Sequence, residues 1–340
     1  MPHDTRRAYN RYIMPTFPNL AISVAATALA LIAIPASGAT PAYPEKPIRM
    51  IVPYAPGGNI DTTARAIGPG LTEVLGQQIL IDNRGGAGGR IGTALGAKAP
   101  PDGYTLTLGA NGVFVVQPAF NDDLEYKPLR DFVFTSPISL MPGVFVVHPS
   151  VPVRTVKEVI ALARTRPGQL LMASAGIGSN THLTGELFQS MAKVKFLHVP
   201  YKGSGAASAD LLGGQVHLAF EPASTPIPHV RSGKLRAIAV TSITRSRHLP
   251  EVPTIDESGV RGFESTTSTV IALPAATPKD VVQRVRDALI VVLDQPRTRQ
   301  TFEKAGGEVI KNTPEEYVRK MQEEQARWMR IRKETGIRLE

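Results

Sequence analysis

The sequence has no cysteine, which excludes structural disulfides, thiol catalysis, a lipidated N-terminus and cysteine-ligated metals. It has no basic run longer than two residues, although 38 Lys and Arg against 29 Asp and Glu give a formal charge of +9. Dispersed cations without a zinc-finger spacing, a basic region or stacking aromatics argue against nucleic-acid binding. A solvated basic surface does attract anionic ligands. There is no Walker sequence, no G-x-S-x-G elbow and no H-E-x-x-H. The Gly85-Gly86-Ala87-Gly88-Gly89-Arg90 segment lacks the full dinucleotide spacing and the acid that should follow it. Ser174, His182 and Asp61 could be drawn into a triad, but nothing orients them. No catalytic residue, metal ligand or cofactor is therefore expected.

At the N-terminus, Arg6, Arg7 and Arg11 precede an uncharged apolar stretch, Leu20 to Ile34, and then small residues, Ala36-Ser37-Gly38-Ala39. That order predicts a secretory signal over residues 1–39, cut after Ala39 or Ala42. The competing reading, a membrane anchor, needs about 20 apolar residues to span a bilayer. Secretion places the mature chain in the periplasm.

A chain of 340 residues suggests two domains. Short apolar runs alternate with amphipathic stretches. Strands are predicted at Ile48–Val52, Gln78–Ile81, Thr105–Leu108, Val144–Val147, Leu170–Ala173, Phe196–Val199, Val216–Phe220 and Arg236–Val240. Helices are predicted between them, at Asp61–Leu75, Gly92–Ala99, Val156–Arg164, Thr181–Met191 and Ala206–Leu212. Two long amphipathic helices, Pro278–Leu293 and Pro314–Thr335, follow near the end. Such βα alternation predicts an α/β fold with largely parallel sheets covered by helices.

Two strand-to-helix turns carry the site candidates. In Tyr54-Ala55-Pro56-Gly57-Gly58-Asn59-Ile60-Asp61, an apolar strand meets a glycine pair and a helix start. The first amides of a helix have no internal acceptor and lie at the positive end of its dipole, so they form an anion site without a charged side chain. The same loop also reads as a plain βα turn capped by Asp61. Ser174-Ala175-Gly176-Ile177-Gly178-Ser179-Asn180-Thr181-His182 repeats the design, with Ser179 and Thr181 as caps or ligand groups. His182 reads either as a ligand group or as a structural side chain bonded to a neighbouring loop. Gly203-Ser204-Gly205 is a third ligand loop or only a turn. The candidate ligand-binding residues are Tyr54, Ala55, Pro56, Gly57, Gly58, Asn59, Asp61, Ser174, Gly178, Ser179, Thr181, His182 and Glu221.

The order Pro44-x-Lys46-Pro47-Ile48-Arg49, Val52-Pro53-Tyr54-Ala55-Pro56-Gly57-Gly58, Asn83-Arg84, Ala87-Gly88-Gly89 and Pro101-Asp102-Gly103-Tyr104 resembles the solute receptors of tripartite tricarboxylate transporters, the Bug family. Ser174-Ala175-Gly176, His198-Val199-Pro200-Tyr201-Lys202-Gly203, Asp210-Leu211-Leu212-Gly213-Gly214-Gln215, Val252-Pro253-Thr254 and Asn312-Thr313-Pro314 extend the likeness over the mature chain. The resemblance implies a two-lobed Venus-flytrap fold in which the Gly57-Gly58 loop and the loop ending at His182 grip a carboxylate, partly through water. The sequence departs from the family pattern at Asn59, Gly85, Glu221 and Ser268. The expectation is a non-enzymatic, monomeric receptor that carries a small carboxylate to membrane permease subunits. Domain I is drawn over 43–143 plus 264–340 and domain II over 144–263. The alternatives are a sensor for a membrane signalling kinase and an α/β hydrolase.

Overall fold

The apolar runs and amphipathic segments fold into βα units in a computed structural model that describes residues 43–337. The expected signal over 1–39 lies outside the described residues. The first units are β1 (Ile48–Val52), α1 (Asn59–Leu75), β2 (Ile79–Asn83), α2 (Arg90–Ala97) and β3 (Thr105–Ala110). A π-helical turn at Gly112–Val116 leads through α3 (Gln117–Phe120) and α4 (Pro128–Asp131) into a long strand, β4 (Phe132–Val147). The second series is α5 (Val156–Thr165), β5 (Leu171–Ser174), α6 (Asn180–Ala192), β6 (Leu197–Pro200), α7 (Ser204–Leu212), β7 (Leu218–Pro222), α8 (Ile227–Arg231) and β8 (Arg236–Val240). The chain returns along β9 (Thr266–Pro274) and ends in α9 (Lys279–Asp294), α10 (Pro296–Lys304), β10 (Glu308–Val309) and α11 (Pro314–Thr335).

The strand order is β2-β1-β3-β9-β4-β7-β5-β6, with β8 and β10 also on β4. One lobe's sheet holds β2, β1, β3, β9 and the first part of β4, with β10 beside it. The other lobe's sheet holds the last part of β4 with β7, β5, β6 and β8. β1 is buried along its length except at Arg49, as a strand covered on both faces must be.

The expectation of largely parallel sheets holds only inside the βα units. β1 pairs in parallel with β2 and β3, and β5 with β6 and β7. β9 and β4 run antiparallel to each other, and β4 is also antiparallel to β7, β8 and β10. Helix starts follow their caps: Thr155 accepts from Glu158 N at α5, and Thr313 and Glu316 form a capping box at α11. The aromatic core of the first lobe gathers Phe114, Phe132, Phe134, Tyr126, Tyr317 and Trp328, so α11 seals the bottom of that lobe. Both long C-terminal helices pack on it, α9 against α1 and β4 and α11 against α3.

Candidate ligand-binding site

β1 ends in a turn whose shape is set by glycine and by one buried acid. Gly57 takes φ +85, a left-handed value that a side chain would strain. Gly58, extended, is the N-cap of α1 and makes no side-chain cap bond. Asp61 is not the cap. It sits one turn in, buried, and its carboxylate accepts from Gly57 N at 2.9 Å, Asn83 Nδ2 at 3.1 Å and Arg65 Nε at 2.9 Å. Burial pushes this carboxyl's pKa up, but the bonds from Arg65, Gly57 and Asn83 outweigh it and hold it below the usual range. All its capacity is spent inside the protein, so Asp61 braces the loop.

β5 ends in the second turn. Ser179 caps α6 by accepting from His182 N, and Thr181 Oγ1 accepts from Ala175 N at 2.8 Å. Ser174 Oγ lies 2.6 Å from His198 Nε2 and accepts from Gly176 N. His182 Nδ1 accepts from Gly178 N at 3.1 Å, and its ring stacks on His198 with centroids 3.8 Å apart. Desolvation, and for His182 also the neighbouring His198, bring the two pKa values down to about 3 and about 4, so both rings are neutral. The imidazoles hold the loop from beneath.

Both turns open on one narrow cavity of about 40 Å³. Gly58, Asn59 and Ile60 from the start of α1 face it, as do Ser179, Asn180 and Thr181 from the start of α6. Ser204, the first residue of α7, adds a third helix start, and Tyr54, Ala110, Ala175, Pro222 and Thr267 complete the wall. No lining side chain is charged, so any anion here is held by amides, hydroxyls and helix dipoles.

Among the sequence candidates, Tyr54, Gly58, Asn59, Ser179 and Thr181 line this cavity. Ala55, Pro56, Gly57, Asp61, Ser174, Gly178, His182 and Glu221 do not. Pro56 and Gly57 lie on the exposed tip of their loop. Asn180 and Ser204 were within the motifs weighed in the sequence. Ala110 and Thr267 carried no signal, because they are brought in by the ends of β3 and β9. Glu221 is buried beside Pro222; neither oxygen accepts a hydrogen bond of good geometry. Desolvation pushes its pKa up to about 7, against a smaller downward pull from the Ser204 hydroxyl.

The turns are pressed together glycine on glycine. Ala55 N donates to Lys202 O at 3.0 Å. A Cβ on Gly205 would meet Pro56 O at 2.2 Å, and one on Gly88 would meet Ile177 O at 2.1 Å. Asn59 Oδ1 accepts from Ser224 Oγ, and Gln117 Nε2 donates to Ile177 O. Among the described residues there is no cluster of three or more potential metal ligands and no helix long and apolar enough to cross a membrane.

Two sheets sharing a strand, with helix starts from both converging on an uncharged cavity, define a two-lobed α/β solute-binding protein of the periplasmic class. Residues 63–337 match the family model described as the tripartite tricarboxylate transporter family receptor, and the chain belongs to that family. It is 36% identical over 313 residues to protein BugT of Bordetella pertussis, covering 92% of this chain and 95% of that one. Its structure is similar to that of the periplasmic binding protein BugD, with TM-score 0.84 and 34% identity over 87% of this chain and 99% of that one. It is equally similar, at TM-score 0.84 and 33% identity over 87% and 99%, to R. palustris Rpa4515 solved with adipate. Members of this family are solute receptors and not enzymes.

Proposed function

We propose that this receptor captures a small carboxylate in the cleft between its lobes, with the amides at the starts of α1 and α6 as the carboxylate's cradle. The observation that carries this reading is that two helix N-termini, from different halves of the chain, supply consecutive residues to one cavity without a charged side chain. Each charge-assisted hydrogen bond to the carboxylate contributes about 1.5–3 kcal/mol. The adipate in a solved relative supports the ligand class. Tyr54, Gly58, Asn59, Ser179 and Thr181 are placed at the ligand. Ala55, Pro56, Gly57, Asp61, Ser174, Gly178, His182 and Glu221 shape the loops that hold it.

The lobes are drawn at 43–143 plus 264–340 and at 144–263, a division supported by β4, which changes partner from β9 to β7 between Pro142 and Gly143. Closure is a hinge motion favoured by ligand contacts to both lobes. The N-terminal segment is read as a cleaved signal for export to the periplasm. There the closed monomer docks on the permease subunits of a tripartite transporter.

A thermal-shift series of mono- and dicarboxylates, sugars and nucleobases on the purified mature chain tests the ligand class. A carboxylate at 100 times its Kd is expected to add about 2.7 kcal/mol of stability. A series in which only a sugar or a base raises the melting point overturns the assignment.

A further inference from the structure

α11 lays Tyr317, Met321, Glu324 and Trp328 along one helical face. Tyr317, Met321 and Trp328 are buried in the first lobe. Glu324 is the acid that interrupts this apolar stripe, and an acid beside a core needs bonds in exchange for its lost hydration. Its Oε1 accepts from Asn111 Nδ2 at 2.8 Å and from Trp328 Nε1 at 3.4 Å. Asn111 Nδ2 also donates to the Thr266 carbonyl at 3.0 Å. A carbonyl oxygen only accepts, so the Asn111 amide is turned one way, with one proton on Glu324 and the other on Thr266.

Thr266 lies in the stretch 264–267, where the chain returns from the second lobe to the first. This crossing is held from both sides. From the first lobe, Arg327 of α11 donates to Glu264 O at 2.9 Å, and Asn111 donates to Thr266 O. From the second lobe, Thr184 Oγ1 lies 2.6 Å from Ser265 Oγ, and Asn180 Nδ2 donates to Thr266 O at 3.3 Å and to Thr267 Oγ1 at 3.0 Å. Thr184 and Asn180 both belong to α6, and Asn180 and Thr267 line the cavity. The two grips meet at Thr266 O, whose two lone pairs take one donor from each lobe. One oxygen thus connects α11, which does not line the cavity, with the start of α6, which does.

We infer that Glu324 is a positioning residue for the ligand site: through Asn111 it holds the Thr266 carbonyl where Asn180 meets it, and so sets how the start of α6 sits against β9. This rests on reading the cavity as a ligand site between two lobes. Without the acid, one Asn111 proton loses its acceptor and the amide is free to turn. The Thr266 carbonyl is then left to the grip from α6. A role in core packing alone predicts something different. Leucine at 324 would complete the apolar stripe of α11, so Glu324→Leu would leave the far side of Thr266 untouched. A positioning role predicts that the change is felt at Asn180.

The test is nuclear magnetic resonance of the mature chain labelled with nitrogen-15 at asparagine, with the side-chain signals of Asn111 and Asn180 assigned by substituting each in turn. Glu324→Leu is expected to shift both signals, with Glu324→Ala as a second form in case the first is poorly folded. Glu324→Gln keeps an accepting oxygen and is expected to leave both near their wild-type positions. Isothermal titration with adipate and with L-malate, as probes, gives the effect on the site. Glu324→Leu is expected to weaken whichever probe binds by about fivefold, the equivalent of one ordinary hydrogen bond, and Glu324→Gln to restore it. An Asn180 signal unmoved in folded Glu324→Leu or Glu324→Ala overturns the inference and leaves the carboxylate reading standing. Unchanged probe affinity in those variants also overturns it, whatever the signals do. If neither probe binds the wild type, the carboxylate reading loses its support, and the Asn180 signal alone decides the role of Glu324.

Discussion

Glu221 and the stacked histidines make opposite demands on pH. Glu221, with its carboxyl raised to about 7, holds a proton in the folded chain that the unfolded chain releases near 4.5. Between these values the folded state binds more protons, so stability falls as pH rises and the full cost is present above 7. His182 and His198 titrate at about 3 and about 4 when folded, against 6.5 when unfolded. Between about 4 and 6.5 the unfolded chain binds more protons, so stability rises with pH. The two effects overlap and partly cancel in the wild type. Replacing Glu221 by Gln keeps the shape and removes one of them. Glu221→Gln is therefore expected to show a steeper rise of urea-unfolding stability from pH 4.5 to 7 than the wild type. At pH 8 it should be more stable by about 3 kcal/mol. Parallel stability profiles for the two proteins would show that Glu221 is ionised and solvated in the folded chain.

At the scale of elements, the site is the seam where helix starts meet. α7 begins against the β1–α1 turn with no side chain between Gly205 and Pro56 O. A methyl there, 2.2 Å from that oxygen, cannot fit without moving α7 away. Gly205→Ala keeps an ordinary helical φ, so its cost falls on closure and not on the helix. Ligand affinity is expected to fall at least tenfold, about 1.4 kcal/mol, while the melting point of the ligand-free chain changes by no more than a few degrees. Affinity unchanged by Gly205→Ala would mean that this contact plays no part in holding the guest.

How far the sequence shows these elements depends on what forms them. Ile48–Val52 and Arg236–Val240 are legible because a buried strand in a βα unit is a short apolar run between breakers. The glycine turns at 57–58 and 176–178 are legible because a left-handed φ selects glycine. β9 is not, since its first half, Thr266-Thr267-Ser268-Thr269, reads as a polar loop. The first half of β4 is not, since Pro137 and Pro142 interrupt it and its pairing slips in register around Pro137. These two strands create the antiparallel centre of the fold and bring Thr267 to the cavity. Asp61 and His182 were legible as special, but their roles were not. Only the geometry shows that Asp61's carboxylate is filled by Gly57, Asn83 and Arg65, and that His182 is turned to Gly178.

At the scale of the whole molecule, the two sheets are joined through β4 and clasped by Thr241. Its hydroxyl accepts from Gly143 N, where β4 changes sheets, and donates to Ser265 O, where the chain enters β9. The backbone of Thr241 bonds the same two residues. One continuous buried cluster includes Ile48 and Trp328 together with Phe145 and Phe188, so apolar burial does not stop at the boundary between the lobes. A hinge of this kind allows rotation but not independent unfolding: melting one sheet exposes the strand that completes the other. Trp328 is the sole tryptophan and is a buried residue of α11 in the first lobe, so its fluorescence reports that lobe, while far-UV circular dichroism reports the helices of both. The expected outcome is one cooperative urea transition, coincident by the two probes. Saturating ligand should move both curves together, because a guest held by α1 and α6 stabilises the lobes as one body. Two separated transitions, or a ligand that shifts one probe alone, would show that each lobe folds on its own and that the shared strand contributes no coupling.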